Sequence, residues 1–264
     1  MSLSIYAPYK AFFDHVPQNK NLVINIERGD TIYEVFSLFL PINFANKLFL
    51  KIYSLRNDIN LIQYGEYQIG NKSILDIINL IKSGETITHK LKINEGLNIY
   101  DIENLINDSY LINDCSFLKC INTNLSFREG ILYPDTYFYK KGMSASEILN
   151  ESHARLENYL NNKLKNKSTY TSLNKEEVLI LASIIEKEAG NDNEKSKIAS
   201  VFLKRLSIGM RLQADPTIIY GLLPNFDGDI KKSDILDKNN KYNTYMINGL
   251  PPTPISISSI SSIN

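Results

Sequence analysis

The sequence predicts an α+β protein in two parts, a small mixed unit followed by a larger, helix-rich region. Three observations predict it. Up to about residue 90, short strand-like apolar runs alternate with short helical stripes. Beyond that, longer helical periodicity dominates, around 144–166, 174–189 and 194–208. The 264 residues, 43% apolar and 22% charged, supply enough apolar surface for one large domain or two modest ones.

The first unit, residues 22–90, builds up in order. Leu22–Ile26 is a strand-like run that ends at Arg28-Gly29-Asp30-Thr31. Asp30 or Thr31 can cap a helix beginning near Ile32, with Ile32, Val35, Phe36 and Phe39 at helical spacing. A second helical stretch precedes a strand around a glycine, Leu61–Ile69. Ser73 then starts a helix with Ile74, Ile77, Ile78 and Ile81 on one face, and Ser83-Gly84 ends it. Strand, Gly-Asp-Thr turn, helix and returning strand resemble a LysM-like unit. Gly96–Asp101 echoes Gly29–Glu34, as a duplicated carbohydrate-binding module would; a common strand–turn–helix solution is the favoured reading of this second copy. Residues 1–21 mix Tyr6, Tyr9, Phe12 and Phe13 with Lys10, Asp14 and His15 and read as a separate N-terminal segment.

Residues 104–142 are polar and read as irregular. An amphipathic helix follows over roughly 144–166, and Asn161–Ser168 reads as an Asn/Lys-rich loop. The next helix carries the most chemistry. Asn174 caps it and Glu177 completes a capping box. At about 100° per residue, Glu188 is centred on an apolar stripe of Leu181, Ile184 and Ile185, while Glu186 points backward with Leu179, Ala182 and Ser183. A carboxyl at the end of an apolar stripe is desolvated, which raises its pKa toward that of a general acid. The alternative is a helix-end glutamate reaching into solvent. A second helix, 194–208, buries Ile198, Val201, Phe202 and Leu206, and Gly209 ends it. Asp215-Pro216-Thr217 suits a turn or a helix start with proline in its first turn. The loops with Tyr242-Asn243-Thr244-Tyr245 and Gly249-Leu250-Pro251-Pro252 offer rings and amides that could meet sugars, or could simply pack as turns.

Composition removes whole classes of function. Lys+Arg and Asp+Glu each total 29, so the chain lacks the electrostatic footprint of a general nucleic-acid binder. The three histidines are scattered, and no His-Glu-x-x-His, Gly-x-Ser-x-Gly, P-loop or dinucleotide fingerprint occurs. Neither a metal nor a cofactor is expected. Cys115 and Cys120 read as two partly buried thiols, with pairing as the alternative. No apolar run reaches the ~18–20 residues of a membrane helix.

Several stretches together resemble the endolytic murein transglycosylases, the MltG/YceG-like family. They are Ala182-Ser183-Ile184-Ile185-Glu186-Lys187-Glu188, Ala199–Leu206, Ile208–Thr217, Tyr242–Tyr245 and Gly249–Pro252. Tyr133-Pro134-Asp135-Thr136 and the 62–82 segment match in kind. The resemblance runs from about residue 22 to about 256. It implies a LysM-like region at 22–90 and a catalytic domain at 91–264. It implies internal cleavage of peptidoglycan between N-acetylmuramic acid and N-acetylglucosamine, with 1,6-anhydro ends. The family's catalytic glutamate falls on Glu188, which gives its proton to the glycosidic oxygen and then acts as base. Gln213, Asp215, Tyr220, Tyr242, Asn243 and Tyr245 are the candidates for sugar contacts or oxocarbenium stabilisation. Asp215 is also the best candidate for the second carboxylate that a hydrolytic muramidase would need. A non-catalytic wall-binding scaffold is the third reading. Partners implied are glycan strands and peptidoglycan synthases, at the inner membrane with the catalytic region in the periplasm or cell exterior. An apolar anchor is expected upstream of Tyr6. The run after Ser256 lacks the Asn-Pro-Gly-like stretch of relatives, so the catalytic domain is expected to be truncated.

Overall fold

The computed structural model describes residues 3–17, 22–57, 62–165 and 173–264. They divide into two units, Met1–His89 with Tyr139–Gly142, and Lys90–Phe138 with Met143–Asn264.

The first unit holds α1 (Leu3–Asp14), β1 (Val23–Ile26), α2 (Ile32–Ser37), α3 (Phe44–Asn57), β2 (Gly65–Gln68) and α4 (Ile74–Ser83). β1 and β2 pair antiparallel, with Ile24 opposite Tyr67 and Ile26 opposite Gly65. Alternation along β1 exposes Val23 and Asn25 and buries Ile24 and Ile26. Both expected caps form as capping boxes, Thr31 with Glu34 and Ser73 with Asp76. Gly84, at φ 70°, closes α4 in the left-handed conformation that glycine adopts without strain. Ile74, Ile77, Ile78 and Ile81 bury together against Val35, Phe36, Leu50 and Tyr67. The N-terminal segment departs from its sequence reading: Leu3–Asp14 is helical, and Tyr9, Phe12 and Phe13 join this core. The start of the expected 61–69 strand, Leu61, lies outside the described residues.

The second unit holds β3 (His89–Ile93) and β4 (Asp135–Tyr139) except for His89 and Tyr139, together with α5 (Ile99–Asn107), α6 (Ala145–Lys165), α7 (Lys175–Glu188), α8 (Asp192–Ser207), α9 (Asp215–Leu222), α10 (Lys232–Ile235) and α11 (Ile260–Ile263). β3 pairs with β4, a strand inside the stretch that reads as irregular. Asn98 caps α5 in a box with Asp101, so the echoed motif is a real strand–turn–helix. Asn161–Lys165 continue α6 rather than forming a loop; residues 166–168 lie outside the described set.

Two corrections concern packing. The apolar stripe of α7 is not one-sided, because every residue from Leu179 to Ile185 is buried. Residues 254–259 and 262–263 are buried too, and Ile255 N–H donates to Ser183 Oγ at 3.0 Å. The back of α7 is therefore covered by this late segment. On α8, Val201 is 49% exposed instead of buried, whereas Lys195 is 8% exposed.

The cysteines are also corrected. Cys115 and Cys120 form a disulfide across a 4.9 Å Cα separation. Constraining so short a ring in the unfolded chain contributes about 2 kcal/mol in the loop-entropy account. Urea unfolding of the Cys115→Ser/Cys120→Ser variant should show that loss; an unchanged midpoint with an unchanged slope would refute it.

Candidate active site

Glu188 is the last residue of α7. Ala189 turns extended, at φ −76° and ψ 126°, and its N–H still bonds Ile185 O. The glutamate thus stands at the helix end with its side chain free of the helix body. It opens on a pocket of about 340 Å³ lined by Glu188, Lys197, Ile198, Val201, Phe202, Arg205 and Gln213. Lys197, Val201 and Arg205 recur every four residues, so one face of α8 forms this wall.

The floor is set by the turn between α8 and α9. Gln213 sits at φ 53°, a left-handed conformation uncommon outside glycine and costly to hold. Its N–H donates to Thr244 O at 3.1 Å, and Ala214 N–H donates to Thr244 Oγ1 at 2.9 Å. Thr217 and Thr244 are fully buried and their hydroxyls lie 2.9 Å apart. Arg205 donates to Leu212 O from the α8 side. These bonds keep Gln213 on the pocket wall.

Asp215 opens α9, with Pro216 next to it as the sequence expects. Tyr245 OH donates to Asp215 Oδ1 at 2.6 Å. That bond, with burial and the two nearby carboxylates, pushes the Tyr245 phenol up to about 12, so it remains a donor at neutral pH. Glu188 is exposed as a residue, yet its carboxyl is raised above the ordinary glutamate value. Desolvation by the surrounding pocket is the main cause, the Asp215 charge adds to it, and Arg205 opposes it.

Glu186 behaves oppositely. Burial alone would raise its carboxyl, but bonds from Ser259, Ser262 and Lys195 hold it below the usual range. Lys195 lies 3.2 Å away, Ser259 N–H 2.9 Å and Ser262 Oγ 2.6 Å. The helical wheel assigns Glu186 to a back face, and there the structure finds an ion pair enclosed by the late segment.

The predicted site residues separate into two groups. Glu188 and Gln213 line the pocket, and Asp215 and Tyr245, joined by their hydrogen bond, lie near enough to Glu188 for their charges to be felt there. Asn243 does not reach it: the residue is fully buried, and its amide donates to Asp234 O, Ile235 O and Asp237 O at 3.0, 3.0 and 2.9 Å. It satisfies carbonyls at the end of α10, and its Oδ1 accepts from Tyr245 N–H at 3.0 Å. Asn243 therefore places Tyr245 and leaves no group for a sugar. Tyr220 donates to Glu129 Oε2 at 2.9 Å, and its ring meets that of Tyr242 edge-on at 4.7 Å. Tyr242 OH lies 2.9 Å from Thr253 Oγ1. Sequence reasoning missed Lys197, Arg205 and Glu129. The four-residue spacing on α8 could have found the first two; nothing local marks Glu129 as buried.

Comparison with known proteins supplies the relationship. The YceG-like family profile matches residues 24–264. An endolytic murein transglycosylase of Bacillus subtilis (strain 168) is 35% identical over 139 residues, 51% of this chain and 37% of that protein. One of Streptococcus pneumoniae serotype 2 (strain D39) is 31% identical over 144 residues, 51% of this chain and 25% of that protein. The chain thus aligns with well under half the length of these curated relatives. A crystal structure of a YceG-like protein from Listeria monocytogenes superposes with a TM-score of 0.58 at 27% identity, covering 92% of this chain and 88% of that one. With its motifs, its fold and nearly its whole length in agreement, the chain belongs to the YceG-like family.

Proposed function

We propose that the second unit is a lytic transglycosylase that cuts peptidoglycan strands internally at the bond from N-acetylmuramic acid to N-acetylglucosamine. The observation that carries this reading is the raised carboxyl of Glu188 at the pocket mouth, beside Asp215. A carboxyl that holds its proton more tightly than an ordinary glutamate can give that proton to the glycosidic oxygen as the bond to the muramic acid C1 breaks. The electron pair leaves with the N-acetylglucosamine oxygen, which the proton neutralises. The muramic acid 6-hydroxyl then bonds to C1 and returns a proton to Glu188. A 1,6-anhydro ring results, the acid is regenerated and no water is consumed.

Asp215, which accepts the Tyr245 hydroxyl's hydrogen bond, supplies negative charge near the positive centre that develops at C1. Gln213, fixed on the wall by its strained backbone, offers an amide to sugar hydroxyls. The first unit, read as LysM-like, would bind N-acetylglucosamine-containing glycan weakly and help to position the strand. The substrate lies outside the cytoplasm, and the Cys115–Cys120 disulfide suits an oxidising compartment. We place the enzyme at the outer face of the inner membrane, beside the synthases that extrude new strands. Among the described residues no helix is long and apolar enough to cross a membrane.

Asp215 beside Glu188 also favours a second reading, hydrolysis of the same bond with Asp215 activating water. Digesting purified peptidoglycan and weighing the released fragments separates the two. Transglycosylation gives ends lighter by one water than hydrolysis does. Only hydrated ends would overturn the proposed reaction, and no fragments at all would leave a binding protein.

A further inference from the structure

Glu129 is a carboxylic acid that the proposed chemistry does not use. It is 4% exposed, in the segment between α5 and β4. Its Oε2 accepts from Ile99 N–H at the start of α5 and from Tyr220 OH on α9, both at 2.9 Å. Its Oε1 accepts from Gly130 N–H at 2.9 Å. The backbone there is fixed, because Gly130 has φ 68° and a Cβ on it would come within 2.7 Å of Pro254 Cβ and Ser256 O. One carboxyl thereby ties three parts of the unit together, with Tyr242 packed on the far side of the Tyr220 ring.

No cation among the described residues pairs with it. Arg128, next in sequence, turns away to donate to Leu118 O and Ile121 O. Its titratable neighbours are Asp101 on α5, which is a like charge, and Tyr220, which in turn lies near Tyr242 and Tyr100. An amide has a single oxygen and could not accept all three bonds, because its NH2 would face a donor. The three donors therefore select the ionised carboxylate, whose two oxygens accept them all.

We propose that Glu129 is a positioning residue of the candidate site, holding α9 through Tyr220 and thereby setting Asp215 against Glu188, with a firmer hold when it is ionised. The proposal rests on the reading of Glu188 and Asp215 given above. An ionised acceptor makes the phenol's hydrogen bond shorter and stronger than a neutral one does. Tyr220 lies five residues after Asp215 on the same short helix, so a change in that bond is passed to Asp215 by a rigid element. Burial, helped by Asp101, pushes the Glu129 carboxyl up to about 7, against the pull of its N–H and phenol donors. The hold therefore changes across neutral pH.

The test uses the full chain with Glu129→Gln, which keeps the size and one acceptor oxygen but not the charge, and Tyr220→Phe, which removes only the hydroxyl. Two readouts are taken: the pH profile of murein cleavage, and the titration of the Glu188 carboxyl followed by its ¹³C resonance. In the parent, the profile should carry a limb near pH 7. In Glu129→Gln that limb should disappear, with kcat/KM down roughly tenfold from a displaced site. In both variants the Glu188 midpoint should move down, because Asp215 no longer sits as firmly beside it. A limb that survives and a Glu188 midpoint that stays put, with only a lower melting temperature, would overturn the proposal and leave Glu129 a support of the fold. If the parent cuts no murein, the functional reading falls and the Glu188 titration alone decides on Glu129: a shift upholds its grip on Asp215, no shift removes it.

Discussion

Glu188→Gln is expected to abolish murein cleavage without lowering the unfolding midpoint. The amide keeps the shape of the side chain and loses the transferable proton. General acid–base groups contribute about a hundred- to ten-thousand-fold, and here a single residue serves as both acid and base. The carboxyl makes none of the enclosing bonds that Glu186 makes, so its loss removes no support. Desolvation and the Asp215 charge already penalise its ionised form, and that penalty vanishes with the charge. The check is fragment release from purified sacculi alongside thermal unfolding. Full activity in this variant would remove Glu188 from the mechanism.

Glu186→Ala should do the reverse, unfolding the protein readily while sparing the chemistry of whatever remains folded. The substitution strips Lys195 of one of its two carboxylate partners, leaving only the exposed Asp192 at 2.7 Å. It also leaves Ser259 N–H and the donated proton of the Ser262 hydroxyl without their acceptor. Breaking a buried pair from one side costs about 3 kcal/mol or more. The pH dependence follows from the lowered Glu186 carboxyl. Its stabilisation is present above the ordinary glutamate value of 4.5 and is lost as pH falls through the lower folded value. Acid unfolding of the parent should therefore steepen below that point, and the steepening should be absent from the variant. Urea midpoints equal to the parent's at neutral pH would refute the structural role.

These two glutamates, two residues apart, show how far the sequence could be read. The bounds of α7 follow from its Asn174 capping box, as those of α2 and α4 follow from Thr31 and Ser73, because caps are local hydrogen-bond chemistry. The Asp215-Pro216 start of α9 is local in the same sense. A helical wheel, however, assumes one covered face. The middle of α7 is covered on all sides, and its second cover lies some seventy residues further along, so the wheel could not see that Glu186 is enclosed. β4 was hidden for a similar reason: its partner β3 lies more than 40 residues earlier, and its flanks are polar. The exposure of Val201 and the burial of Glu129 likewise depend on what packs nearby in space. Asn243 was legible as a polar loop residue, but its engagement with the carbonyls of α10 was not.

The bonds from Ser259 N–H and Ser262 to Glu186 span 73 and 76 residues. A chain made from its N-terminus onward therefore releases Leu179–Ile185 well before the segment that covers them exists. For that interval a helix whose middle is buried throughout in the finished fold has an open flank, the kind of surface that draws chaperones or neighbouring chains. Contacts so distant in sequence also close slowly, because the intervening loop must be ordered first. Maturation of the proposed enzyme is thus set late in synthesis: the helix that carries Glu188 acquires its final burial only when residues 255–263 dock, and activity and stability should appear together at that step.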